Sequence, residues 1–365
     1  MTRFAVTSIF EPITLRGVSA RNRVWLAPMC QYSVDAQDGV PTAWHLVHLG
    51  ARATGGFGLV MTEATAVTPE GRITLQDTGM WNEDQAAAWE GITGFVKSQG
   101  AVPAIQLAHA GRKAATTQPW RGGISVRPDA GGWSPLAPSP LPYQELTTPI
   151  AMTTADINAT VRAFADAASR AVAAGFGVVE VHSAHGYLLH EFLSPLSNRR
   201  TDSYGDSFRN RVRFLIEVVD AVRTAIPDRT PLFVRLSATD WVDGGWTLEE
   251  TIELSALLAE RGVDLVDLSS AGNDPRQRIP LSPGYQVPFA RTVRTKTGVR
   301  TAAVGLITEP RQAEEILAEG AADAVFLGRA ALREPAWPVR AAHELGVAVQ
   351  DAPYPVQYLR GAYRS

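Results

Sequence analysis

Cysteine is the scarcest residue in the chain: Cys30 stands alone among 365 residues. One thiol cannot close an intramolecular disulfide, which excludes a secreted disulfide scaffold, a four-cysteine zinc site and a four-cysteine iron–sulfur cluster. Lysine is almost as rare. Only Lys97, Lys113 and Lys296 occur, none after a glycine, so no Walker A loop is present; the bias toward arginine reads as genomic composition without functional weight. Charge of one sign is missing as well, since 34 Lys plus Arg against 37 Asp plus Glu leave a net −3 without a basic cluster. That balance gives no electrostatic reason to expect nucleic-acid binding or attachment to an anionic membrane. The opening MTRFAVTSIFEPITL has no sustained apolar core, and no run approaches the roughly eighteen apolar residues of a membrane span. A soluble, cytoplasmic protein is expected.

What is present is an alternation of short apolar runs and longer helical patterns. The candidate strands are Val24 to Ala27, Leu59 to Thr62, Val102 to Leu107, Val178 to His182, Leu232 to Leu236, Leu265 to Leu268, Thr301 to Val304 and Ala324 to Leu327. Between them lie amphipathic stretches at Asp84 to Lys97, Asp156 to Ala174, Ser207 to Ala225, Leu248 to Arg261 and Pro310 to Ala318. Helix starts are marked by Thr153 or Thr154, by Thr247 ahead of Glu249 and Glu250, and by Thr308 before Glu309 and Pro310. Eight strand–helix units predict an α/β fold, a (β/α)8 TIM barrel forming a single domain over residues 1–365. A proline-rich excursion after strand three, Gln118 to Pro149, carries Trp120, Trp133 and Tyr143 and is expected to act as a lid or substrate loop.

In such a barrel the chemistry sits at the carboxyl ends of the strands. Those ends carry Pro28, Met29, Cys30, Gln31 and Tyr32; Glu63 and Ala64; Gln106 and His109; His182, His185 and Tyr187; Arg235; Ser269 and Ser270; Gly305; and Gly328 with Arg329. His182 and His185 can both donate to one oxygen while Tyr187 moves a proton; equally, they can be satisfied structural histidines or, given further converging ligands, part of a metal site. His45 and His48 read as ordinary helix residues. Gly305, Gly328 and Arg329 fit a phosphate site after the last two strands. A cation at Arg235 needs an anionic partner, either a reducible ring or an internal carboxylate, with Asp240 and Asp267 the candidates.

Taken together the sequence resembles the old yellow enzyme family of FMN-dependent ene-reductases, and within it the bacterial, thermophilic-like subgroup with a cysteine beside the flavin. The resemblance is carried by Phe10-Glu11-Pro12, Leu26-Ala27-Pro28-Met29-Cys30-Gln31-Tyr32, the run from Gln106 to Arg112, the run from His182 to Pro195, Asn198 to Asp202, Tyr204-Gly205 and Phe326-Leu327-Gly328-Arg329. It implies bound FMN and NADPH or NADH as the hydride donor, without indicating which. Ala27, Pro28, Met29 and Cys30 would line the flavin, Ala64 and Gln106 would bond its pyrimidine edge, Arg235 would offset the charge of the reduced ring, and Gly305, Gly328 and Arg329 would hold the phosphate. His182 and His185 would bind the carbonyl oxygen of an unsaturated substrate and Tyr187 would protonate its α-carbon, with Tyr32 beside the substrate. The implied activity is reduction of enones, enals and maleimides in a ping-pong cycle. The carboxyl-terminal segment Gln357 to Tyr363 resembles the subgroup's tail, so a homodimer or homotetramer is expected in which Arg360 reaches the neighbouring active site. Against this stand a metal-dependent barrel hydrolase using His182 and His185, and a non-catalytic flavin-binding protein. No metal is expected.

Overall fold

The structure, a computed structural model, describes residues 8–363. A hairpin of Ile13–Leu15 and Val18–Ala20 precedes the barrel. The eight barrel strands follow as β1 (Val24–Leu26), β2 (Leu59–Ala66), β3 (Val102–Ala108), β4 (Val178–Ser183), β5 (Leu232–Ser237), β6 (Leu265–Ser269), β7 (Thr301–Ala303) and β8 (Ala324–Leu327). Each pairs in parallel with its neighbours, and β8 closes on β1 through Phe326 and Trp25. All eight expected strands are present, and closure fixes the fold as a (β/α)8 barrel.

The strands are apolar because both faces are covered: helices pack outside, and interior side chains fill the lumen. At its amino-terminal end the lumen is plugged by Trp25, stacked on Phe233 at 5.9 Å between centroids and edge-on to Phe326 at 5.4 Å. The outer ring comprises α1 (Ala43–Thr54), α2 (Glu83–Ser98), α3 (Thr154–Ala173), α4 (Arg213–Ala225), α5 (Leu248–Glu260), α6 (Val287–Thr297), α7 (Pro310–Ala318) and α8 (Trp337–Glu344). Thr153 and Thr247 cap α3 and α5 through reciprocal bonds with Asp156 and Glu250, devices that each contribute about 1 kcal/mol.

Two local expectations need correction. Thr308 does not cap α7: Glu309 occupies that position, and the Thr308 N–H donates instead to the Gln312 side chain at 3.0 Å, so the helix start is tied from inside the first turn. The expected helix from Ser207 to Ala225 is two segments, Phe208–Arg211 and α4, parted at Val212. The break adjoins Arg211, whose buried guanidinium is drawn to the Leu193 carbonyl and to Glu250.

The excursion between β3 and α3 has little regular structure: 3-10 turns at Pro119–Arg121 and Pro128–Ala130, and a pair of two-residue strands, Leu136–Ala137 and Ile150–Ala151. Among the described residues no helix is long and apolar enough to cross a membrane.

Candidate active site

The β1 end is positioned from two sides. A register shift in β2 between Met61 and Ala64 sends Glu63 toward the β1 loop. There its carboxylate accepts the Gln31 N–H at 2.8 Å and contacts His45 Nε2 at 3.0 Å. Trp44 of the same helix donates to the Gln31 side chain at 3.1 Å. His45 is therefore more than an ordinary helix residue; together with Trp44 and Glu63 it braces the backbone beside Cys30. The Cys30 thiol is bonded to Tyr32, and burial, reinforced by Asp77 and Glu63, pushes it upward, so it stays protonated. Tyr32 takes φ +51°, an uncommon left-handed setting for a bulky residue, and its ring meets Trp120 of the excursion at 5.8 Å.

At the β4 end, His182, His185 and Tyr187 form one aromatic cluster. The His182 ring lies 5.3 Å from that of His185 and 5.2 Å from that of Tyr187, between centroids. Burial, followed by the charge of Arg235, holds both imidazoles well below the usual histidine range, so each is neutral. His185 Nε2 lies 2.7 Å from Ser269 Oγ, whereas buried His182 Nδ1 has no protein partner. Burial holds the Tyr187 phenol well above its usual range, with Cys30 and Asp77 adding to the shift. The turn carrying these groups is strained: His185 has φ +59°, and its backbone packs closely against Gly272 of the β6 loop. Gly186 is required there, because a Cβ would lie 2.3 Å from the Gly272 oxygen.

Lys113 enters this cluster, contrary to the reading of the three lysines as compositional. Its Nζ donates to the His185 carbonyl at 2.8 Å and to the Gly272 carbonyl, and it stands over the rings of Tyr143 at 4.1 Å and Tyr187 at 5.4 Å. Burial first, then Arg112, pulls its ammonium down to about 7. The signal was available in the sequence: Lys113 directly follows the run from Gln106 to Arg112.

Below the histidines, four strands contribute one polar layer. Gln106 Nε2 donates to Glu180 Oε1 at 2.8 Å, and Arg235 Nε makes an ion-pair contact with Asp267 Oδ2 at 3.0 Å. Arg235 thus has its internal carboxylate, Asp267, while Asp240 contacts His190 Nε2 at 3.0 Å. Of the two expected candidates, Asp267 is the partner of Arg235; Glu180 carries no expected role in the site, although it interrupts an otherwise apolar strand of a barrel and so had to face the lumen.

After β7 and β8 a cavity of about 230 Å³ is lined by Gly305, Leu306, Gly328, Arg329 and Arg333 among others. Its lining holds two arginines and no carboxylate, and a Cβ on Gly328 would meet nothing nearer than Met29 Sδ at 3.7 Å. This is a cradle of the right chemistry for a phosphate. With the neutral polar groups of Ala64 and Gln106 and the cation of Arg235 on one rim, the residues present fit FMN. A concavity of about 450 Å³ lies outside the barrel between α4 and α5 and contains none of these residues. Arg360 is exposed in the tail, which packs against α1 and α8, with Tyr363 stacked on His343 at 4.6 Å; it is not brought to the rim of its own chain. Among the described residues no three metal-ligating side chains converge.

The profile of the NADH:flavin oxidoreductase / NADH oxidase family covers residues 8–347. An NADPH dehydrogenase of Geobacillus thermodenitrificans is 50% identical over 356 residues, 97% of this chain and 98% of that protein. An NADH:flavin oxidoreductase of Gibberella zeae is 46% identical over 365 aligned residues, covering 95% and 88% of the two chains. Among solved structures, morphinone reductase in complex with tetrahydroNAD superposes with a TM-score of 0.78 at 30% identity, over 94% of this chain and 92% of that one. The fold and site define a flavin oxidoreductase. The chain belongs to the NADH:flavin oxidoreductase / NADH oxidase family of FMN enzymes, the old yellow enzyme group.

Proposed function

We propose that this enzyme reduces the activated C=C bond of α,β-unsaturated carbonyl compounds, enones, enals and maleimides among them, with NADPH or NADH as reductant in a ping-pong cycle. The observation that carries the reading is the neutral His182–His185 pair beside a protonated, buried Tyr187. FMN, when bound, would supply the hydride chemistry that links the nicotinamide donor to the alkene β-carbon.

The chain's own residues do the rest. Gly305, Gly328 and Arg329 would hold the FMN phosphate, Ala64 and Gln106 its pyrimidine edge, and Arg235 the negative charge of its reduced form. Ala27, Pro28, Met29 and Cys30 would line its ring. His182 and His185 would donate to the substrate carbonyl oxygen, withdrawing electron density from the β-carbon as negative charge builds on that oxygen. Neutral imidazoles suit this, since each keeps one N–H without leaving an unpaired cation in a buried pocket. Tyr187 would deliver a proton to the α-carbon: a phenol that resists ionisation remains loaded across the physiological range. Tyr32, braced by Trp120, would bound the substrate side. The carboxyl-terminal tail, with Arg360 exposed, is free to serve a neighbouring copy in a homodimer or homotetramer.

The test is the double variant His182→Ala with His185→Ala. Loss of phenolic ligand binding and of enone turnover, with FMN retained, supports the assignment; turnover at the wild-type rate refutes it.

A further inference from the structure

One guanidinium lies among two carboxylates in the polar layer beneath the histidines. Strand register puts Gln106 opposite Glu180, and Arg235 between His182 on one side and Asp267 on the other. Glu180 and Asp267 are fully buried. Underneath, the plug of Trp25, Phe233 and Phe326 seals them from the amino-terminal end of the barrel. Gln106 satisfies one oxygen of Glu180, and Arg235 makes an ion-pair contact with Asp267 Oδ2; Glu180 Oε2 and both Asp267 oxygens have no hydrogen-bond partner. With both acids ionised the layer would carry an uncompensated negative charge in a dry interior, at a cost of several kcal/mol.

We propose that Glu180 and Asp267 hold one exchangeable proton between them and act as a charge reserve for Arg235, taking up a proton when negative charge develops beside that guanidinium. The redox half of this rests on the FMN reading above. Asp267, in contact with Arg235, is the better placed to remain the anion, and Glu180 the better placed to carry the proton. Burial and the Asp267 charge push Glu180 up to about 8, against the opposing pull of Arg235 and Gln106; burial raises Asp267 to about 6. His182 above the layer is neutral and adds no compensating charge. The balance is simple. The nicotinamide donor gives up two electrons and one proton as hydride, one negative charge is left beside Arg235, and above about pH 8, where Glu180 is ionised before reduction, one proton from solvent goes onto its carboxylate. It returns to solvent when the alkene carries the hydride away. Glu180 is thus a positioning residue for charge, acting through Arg235.

Two measurements decide it. The infrared difference spectrum of flavin-free wild type minus Glu180→Gln at neutral pH should contain a buried protonated-carboxyl band that fades as the pH passes about 8, the bands of Asp77 and Glu191 cancelling. The same band should be missing from Asp267→Asn, in which Glu180 faces the guanidinium alone and ionises. In the holoenzyme, the flavin midpoint potential should fall about twice as steeply with pH above 8 as below it, since a second proton then accompanies the two electrons; Glu180→Gln should keep the shallower slope throughout. No such band in the wild-type minus Glu180→Gln difference, or identical slopes in both proteins, would overturn the proposal. A protein that carried no flavin would defeat the functional reading instead, leaving the infrared result to decide the proton.

Discussion

The ammonium of Lys113 donates a 2.8 Å hydrogen bond to the carbonyl oxygen of His185, a residue held in the left-handed region at φ +59°. A second bond to Gly272 ties the same turn to the β6 loop. The lysine thereby stabilises a backbone setting that histidine does not favour and fixes where its imidazole points. Lys113→Met should let the turn relax and weaken binding of a phenolic ligand about ten-fold, in keeping with a charge-assisted bond of about 1.5 kcal/mol or more. Lys113→Arg should restore part of the loss. Titration of the flavin absorbance with the phenol measures both; unchanged affinity in the methionine variant would remove the lysine from the site.

Tyr187→Phe separates the two half-reactions. Reduction by NADPH needs no proton from the phenol and should proceed at the wild-type rate. Alkene reduction should slow by about 10² or more, the usual contribution of a positioned acid, and by less where water can enter in its place. Rapid mixing of each half-reaction distinguishes these outcomes, and equal slowing of both would contradict the proton-donor role.

Cys30 is held as a neutral thiol by burial and the nearby carboxyl groups of Asp77 and Glu63. Because the thiolate is the nucleophile, alkylation at neutral pH should be far slower than for a free cysteine and should become fast on unfolding. Cys30→Ala should fold normally and shift the flavin potential. An unchanged potential would leave Cys30 as a small buried side chain without influence on the cofactor.

Stability should fall on both sides of mid-range pH. Burial lowers His48 to about 3 and His109 to about 4. The unfolded chain therefore binds more protons than the folded one below about 6.5, and stability is lost as the pH falls from there. Asp77, raised to about 7, and Glu191, raised to about 8, act oppositely: the folded chain retains protons that the unfolded chain releases, so stability declines as the pH rises from about 4.5 to 8. Denaturant titrations across this range check both limbs. His48→Gln should flatten the acid limb, and an acid limb of unchanged steepness would contradict the assignment.

The barrel was legible in the sequence because each strand is apolar over its length and each helix begins or ends on a recognisable signal. The cluster of His182, His185 and Tyr187 was legible for a related reason: a strand that ends in polar aromatic residues must present them at its carboxyl edge. What could not be read depends on contacts across loops. Lys113 adjoins the run from Gln106 to Arg112, but its partners His185 and Gly272 lie 72 and 159 residues away, and Glu63 meets His45 only because a bulge turns it. No local pattern encodes either pairing. The break at Val212 and the start of α7 depart from the local helix signals because tertiary or side-chain anchors, Arg211 and Gln312, override them.

In the proposed cycle one site accepts hydride from a nicotinamide and gives it to an electron-poor alkene. Anaerobic absorbance spectroscopy of the purified protein tests it most directly. Visible flavin bands should bleach on addition of NADPH and return in full on addition of cyclohexenone. A protein whose bleached bands return only with oxygen, and not with the enone, would contradict it.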